Sequence, residues 1–290
     1  MKKLIMMVMA PAKLQAPAGV MFLSAGLLVC RLILAPSTAW SADAGRLTFH
    51  IGDTNSLAGK SGMSQTFAGR PEVQAYIQEL ARSTNHFSAD ELERVFSTAR
   101  FSQDVIDRMG RATNNRTCFQ YEAPLLTQSR IDGGVAFMRT NAPALARAKQ
   151  RYGVPPEIVT AMICVESDYG RAPLDFKAVE SLATLAFGYP PRSAYFRKEL
   201  TQFLLLCREE KWDPLQIPSS RDGGLGLAQF MPTSYRRIAI DFDGDGHRNL
   251  LTNPTDAIGS IANYLNLDRW HKTNAIIAVR AVATGTNYQR

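Results

Sequence analysis

The sequence predicts a mainly α-helical protein, and three observations carry that prediction. Apolar residues recur at helical spacing from about residue 67 onward. Proline, capping-box and glycine signals punctuate those runs at helix-like lengths. Long strand-type alternation is absent, so any sheet is small. The chain has 290 residues, 46% hydrophobic and 20% charged, which suits a folded core and excludes a disordered or low-complexity protein. It contains no internal repeat.

The elements follow in order. Pro71 opens a helix with Val73, Ile77 and Leu80 on one face. Ser88-Ala89-Asp90-Glu91 reads as a capping box ahead of Leu92, Val95, Phe96 and Ala99. Residues 132–134 read as a turn, and 135–152 as a helical run with a break at Pro143. Gly153 stops that run and Pro155-Pro156 starts the next. Residues 43–66, rich in Gly, Ser and Thr, read as an irregular arm, and 67–290 as the catalytic domain.

Residues 1–42 differ from the rest. They carry Lys2, Lys3, Lys13 and Arg31 and no acid, with an apolar stretch after Gly19 and the small-residue segment Pro36-Ser37-Thr38-Ala39. This is the pattern of a secretory signal, cut near Ala39, Ala42 or Ala44. Retention as an uncleaved anchor and lipidation at Cys30 are the alternatives. The expected location is the periplasm, free or attached to the membrane. Without 1–42 the formal charge falls from +7 by four, to +3. That value suits an anionic wall or membrane surface, and no basic stripe interleaved with aromatics points to nucleic acid. Cys118, Cys164 and Cys207 then remain, an odd number without metal-type spacing. Cys164 and Cys207 lie in apolar helical runs and read as buried thiols, with a bond between them as the alternative.

The helix before Glu166 carries the chemistry. Ile158, Ala161, Met162 and Val165 fall at i, i+3, i+4 and i+7 and are expected to form a buried stripe. Glu166 lies beside that stripe in the last turn, ahead of Ser167-Asp168-Tyr169-Gly170-Arg171, with Gly170 as the expected left-handed stop. Apolar surroundings and the negative helix end disfavour ionisation, as a general acid at neutral pH requires. A surface glutamate paired with Arg171 is the plainer alternative.

Five blocks in order shift that balance. They are 165–171, the run Tyr189-Pro190-Pro191-Arg192-Ser193-Ala194-Tyr195-Phe196, the glycine-rich 224–235, the acidic 241–247, and Ala262-Asn263-Tyr264. Together they closely resemble the membrane-bound lytic murein transglycosylase B family over roughly residues 67–270. The resemblance implies a goose-lysozyme-like α-helical core with flanking helices and a small β element near the acidic loop. It implies cleavage of the β-1,4 bond between N-acetylmuramic acid and N-acetylglucosamine in peptidoglycan, with Glu166 as the catalytic glutamate. By the same resemblance Ser220 and Gln229 hold the sugar, and Tyr121, Tyr195 and Tyr264 are cleft aromatics. Arg192 matches one of two arginines that contact the stem peptide.

Typical glycosidases need two carboxyls. The resemblance implies one, acting first as acid and then as base, with the muramic acid's own N-acetyl group and C6 hydroxyl completing a 1,6-anhydro product. No catalytic cofactor is expected. The partners are glycan strands and proteins of the cell-wall machinery, and the chain is expected to act as a monomer.

Residues 241–247 fit D-x-D-x-D-G, the first half of an EF-hand loop. Asp241, Asp243 and Asp245 occupy positions 1, 3 and 5, and His247 would offer its carbonyl at position 7. Thr252 replaces the closing glutamate at position 12. The resemblance assigns Asp256 as the last ligand of a structural Ca2+.

Two departures stand out. Pro191 occupies the place of the first arginine, and the family extends past the segment matched by Trp270-His271. Here Gly285-Thr286-Asn287-Tyr288 is expected either to replace that wall of the cleft or to leave it missing. Two other readings stand beside the transglycosylase, the second of them prompted by the C-terminus. A hydrolytic muramidase would use Asp168 or Asp222 to activate water. A non-catalytic peptidoglycan-binding protein would keep the cleft without turnover.

Overall fold

The computed structural model describes residues 66–83, 87–110, 124–268 and 270. Tyr121, Cys118, the expected targeting segment (1–42), all but Thr66 of the expected arm (43–66) and the chain beyond Trp270 lie outside the described residues. Ten helices are described: α1 (Pro71–Arg82), α2 (Ala89–Thr98), α3 (Gln103–Gly110), α4 (Gln128–Thr140), α5 (Ala142–Tyr152), α6 (Pro156–Ser167), α7 (Ala178–Gly188), α8 (Ser193–Glu210), α9 (Pro232–Ile238) and α10 (Pro254–Leu267). None of them is long and apolar enough to cross a membrane.

Helix α7 is the centre of the fold. Val179, Leu182, Ala183, Leu185 and Ala186 are fully buried, and Ser181 and Thr184 are buried with them. A helix apolar on every side must be enclosed on every side. It folds back through a 3-10 turn at Pro190–Arg192 onto α8, and α3 covers another flank. Phe67, Tyr76, Phe96 and Phe187 interlock edge to face where α1 and α2 meet α7, with ring centroids 5.5–6.4 Å apart. On the other side α6 packs against α4, α5 and α10.

The punctuation signals are placed as expected at Pro71, Pro155-Pro156 and Gly153, which is left-handed at φ 74°. Asn141 separates α4 from α5, with Pro143 in the first turn of α5. Ser88 caps α2 by accepting the Glu91 amide at 3.1 Å. The reciprocal half of the capping box does not form, because the Glu91 carboxylate pairs with Arg208 at 2.9 Å. Cys164 and Cys207 are both buried free thiols.

Residues 132–134 are not a turn; they lie inside α4. The glycines serve packing instead. A Cβ on Gly134 would stand 2.7 Å from the Tyr169 hydroxyl, so glycine lets α4 close on that ring. The small β element pairs β1 (Phe176–Lys177) antiparallel with β2 (Pro218–Ser219). Its second strand leads directly into Ser220.

Candidate active site

Glu166 is half-buried in the last turn of α6. Ile158 and Met162 are buried as expected, but Val165 is 41% exposed and Ala161 only partly covered. The core side of α6 is Val159, Ile163 and Ser167, with Thr160 alongside. That rotation leaves Glu157, Ala161 and Val165 as the outward stripe, with Glu166 at its edge.

The helix end differs from the sequence expectation in a second way. The left-handed stop begins at Asp168 (φ 48°) and continues through Tyr169 (φ 62°) to Gly170 (φ 82°). Non-glycine residues persist there only when their surroundings hold them, at about 1–3 kcal/mol each. Asp168 is held by Arg171 at 3.0 Å and Arg130 at 3.7 Å. Tyr169 donates its hydroxyl to the Arg130 carbonyl at 2.9 Å. The Arg130 guanidinium also donates to the Cys164 carbonyl at 3.3 Å, so a cation covers the negative end of α6.

Ser167 anchors this helix end to the glycine-rich loop, its buried hydroxyl donating to the Leu227 carbonyl at 2.8 Å. In that loop Gln229 is 6% exposed and left-handed at φ 48°, and its side-chain amide donates to the Gly226 carbonyl at 2.7 Å. The Ser220 hydroxyl accepts the Gly224 amide at 3.0 Å. A Cβ on Gly224 would meet Ser220 Oγ and Gln229 Oε1 at 2.9 Å each, so the two polar groups converge over that glycine. Tyr264 packs on Phe230 at the far side of the loop, with ring centroids 5.9 Å apart. Its hydroxyl is pushed up to about 12, first by burial and then by the charges of Asp268 and Glu166. Glu166, Ser220, Gln229 and Tyr264 are thus gathered around one loop.

Arg192 and Tyr195 form a neighbouring group, the guanidinium lying 4.5 Å above the ring. Burial raises the Tyr195 hydroxyl, as do the charges of Glu199 and Asp222, while Arg192 opposes them. Asp222 itself pairs with Arg221 at 2.7 Å.

In the acidic loop, carboxylate oxygens of Asp241, Asp243 and Asp256 all lie within 4.8 Å of one another. The Asp241 carboxyl is held below its ordinary range, chiefly by the amides of Gly246 and Gly244. Asp256 is fully buried and accepts the amides of Phe242 and Asn249, each at 2.8 Å. Burial nonetheless raises its carboxyl, with Asp243 adding to the effect. This loop supports the site directly: the Leu227 amide donates to the Leu250 carbonyl at 2.8 Å. Gly226 is left-handed at φ 65°, and a Cβ there would lie 2.0 Å from that same carbonyl.

A family profile described as transglycosylase SLT domain matches residues 69–289. The chain belongs to the transglycosylase SLT domain family. It is 38% identical over 224 residues to membrane-bound lytic murein transglycosylase B of Escherichia coli strain K12, spanning 74% of this chain and 62% of that protein. The fold is similar to that of soluble lytic transglycosylase SltB1 from Pseudomonas aeruginosa, with a TM-score of 0.69 and 40% identity over 71% of this chain and 69% of that one. It is equally similar to Escherichia coli lytic transglycosylase Slt35 in complex with calcium, with a TM-score of 0.69 and 39% identity over 74% and 68% of the two chains.

Within this SLT-family fold, one member of the expected ligand set, the Asp245 carboxylate, stands apart from the carboxylate trio. Asp245 turns its carboxylate to the His247 amide at 2.8 Å. The His247 ring is 62% exposed and faces Glu210 at 3.9 Å. Four residues to which sequence reasoning assigned no role make contacts around this candidate site: Arg130, Ser167, Leu227 and Glu199. The first three act on partners 34 to 60 residues away, so local pattern carries no trace of them. Glu199 is 3% exposed, and a buried acid on an apolar helix face is a signal that periodicity could have raised.

Proposed function

We propose that the chain is a lytic transglycosylase of peptidoglycan, cutting the β-1,4 bond between N-acetylmuramic acid and N-acetylglucosamine. The observation that carries this reading is the attachment of Glu166's helix end to the loop on which Ser220 and Gln229 converge. The names of its relatives support the same chemistry.

Glu166 donates its proton to the glycosidic oxygen as the bond from that oxygen to C1 of the muramic acid breaks. The carbonyl oxygen of the N-acetyl group supports C1 through the change. The Glu166 carboxylate then takes the C6 hydroxyl proton as O6 bonds to C1. The products are a 1,6-anhydromuramic end and a free 4-hydroxyl on N-acetylglucosamine, with no water consumed. Ser220 and Gln229 supply fixed polar contacts to the distorted sugar, and Tyr195 and Tyr264 supply its aromatic walls. Arg192 takes a carboxylate of the stem peptide.

Asp241, Asp243 and Asp256 suit a hard oxygen-seeking cation, with Asp245 and the His247 carbonyl completing the set on ordering. A Ca2+ there would brace the loop beneath Leu227 and supply no step of the reaction. Export to the periplasm fits this substrate.

Neither carboxylate available to a hydrolytic mechanism is unengaged. Asp168 is held by Arg171 and Arg130, and Asp222 by Arg221. That favours the transglycosylase over the muramidase. The deciding experiment is mass spectrometry of muropeptides released from purified peptidoglycan by residues 43–290 and by Glu166→Gln. Anhydro-muropeptides from wild type alone support the proposal. Reducing-end products indicate hydrolysis, and no products from the folded, calcium-supplied protein indicate a binding protein.

A further inference from the structure

We infer that Glu199 is a positioning residue that sets the Gln229 loop from beneath the cleft. It rests on the transglycosylase reading, since the loop is what that reading assigns to the sugar. Tyr195 and Glu199 are four residues apart on α8 and so share one helix face, with Arg192 in the 3-10 turn just before it. Beside Phe196, which is 1% exposed, Glu199 is itself buried at 3%. Its carboxylate accepts the Thr233 backbone amide at 2.9 Å, in the first turn of α9.

That contact lies immediately downstream of the strained residue. Gln229 is left-handed, Phe230 returns the chain by bridging to Leu225, and Met231 and Pro232 lead directly into α9. A loop of this kind keeps an unfavourable φ only if both ends are fixed. The upstream end is fixed by the Ser220 and Gly224 bonds, and the downstream end by Glu199. The far end of α9 is clamped to the same helix, because Arg236 donates to Glu209 at 3.0 Å and also to Gln202. α9 is therefore pinned to α8 at both ends, and the exit of the Gln229 loop has one place to go. A charged acceptor also suits a helix start, where backbone amides point outward.

The test compares Glu199→Ala and Glu199→Gln with wild type, on a purified fragment of alternating N-acetylglucosamine and N-acetylmuramic acid, well below the unfolding temperature of each. Amide hydrogen exchange is followed in parallel. The alanine variant is expected to lose about 10-fold or more in kcat with KM within about 2-fold. It is also expected to lose protection over residues 224–235 and keep it over α10. The glutamine variant, which still offers an oxygen to Thr233, should recover most of both. If kcat and exchange do not fall together in the alanine variant, or glutamine restores neither, the positioning role is overturned. A wild type that releases no anhydro product overturns the transglycosylase reading instead, so the two failures are distinct.

Discussion

The Ser167 hydroxyl meets the Leu227 carbonyl at 2.8 Å, joining the residue after Glu166 to the loop of Gln229. The same hydroxyl also reaches the Ile163 carbonyl at 3.2 Å and accepts the Gly170 amide at 3.1 Å. One buried oxygen thus holds the end of α6, its left-handed exit and the opposite loop. Ser167→Ala leaves the Leu227 carbonyl short of a partner, at a cost of about 1–3 kcal/mol. Urea denaturation should register that loss, and turnover should fall further than stability alone accounts for. A variant as stable and as active as wild type would remove Ser167 from the site.

Gly226 stands against the Leu250 carbonyl with no room for a side chain. Gly226→Ala combines that overlap with an unfavourable left-handed φ, and should cost more than about 2 kcal/mol. Thermal unfolding is the measurement, with a large drop in Tm expected and an unchanged Tm contradicting it.

Asp256 serves two backbone amides before it serves any cation. Asp256→Ala strands both, so it should lose about 2–4 kcal/mol even in the presence of a calcium chelator. Added calcium should raise the Tm of wild type, in proportion to the logarithm of free Ca2+ once the site is saturated. It should leave the variant's Tm unmoved. A wild-type Tm indifferent to calcium would show that the trio binds none.

Glu199 gives the pH dependence a definite sign. Burial raises its carboxyl above the ordinary 4.5, against the opposing pull of the Thr233 amide, Lys198 and Arg192. The folded protein therefore holds this proton to higher pH than the unfolded chain does. The stabilisation is complete below pH 4.5 and is lost as pH rises through the folded value. Glu199→Gln lacks this dependence, so its stability relative to wild type should rise as pH increases above 4.5. Thermal melts of both proteins across that range decide it, and a constant difference would contradict the assignment.

Much of this architecture is legible in the sequence because its cues are local. Pro71, Ser88, Gly153 and Pro155-Pro156 act on their own backbone, and each helix boundary they mark is present. The cues that mislead have distant partners. Gly133-Gly134 reads as a turn until Tyr169, 35 residues on, is found lying against the glycines. Glu91 reads as half of a capping box until Arg208 takes its carboxylate. Val165 reads as core because it is apolar at core spacing, yet α6 is enclosed on so many sides that periodicity alone does not fix its outward stripe. In the site itself Gln229 lies within one of the ordered blocks, and Ser220 comes in through the family resemblance alone. The bracing by Ser167, Arg130 and Glu199 was not signalled, since hydrogen bonds across a fold leave no period in a sequence.

Leu227 makes the two halves of the site answer to each other. Its carbonyl receives Ser167 and its amide reaches Leu250, so a single residue lies between the end of Glu166's helix and the loop of acidic groups. A displacement of the Leu227 backbone would lengthen one or both of these bonds. Thermodynamic reciprocity then requires that whatever factor a cation adds to glycan affinity, a bound glycan adds to cation affinity. Under the proposed function, a bound glycan would in that way tighten a cation held at Asp241, Asp243 and Asp256, and release of the glycan would loosen it.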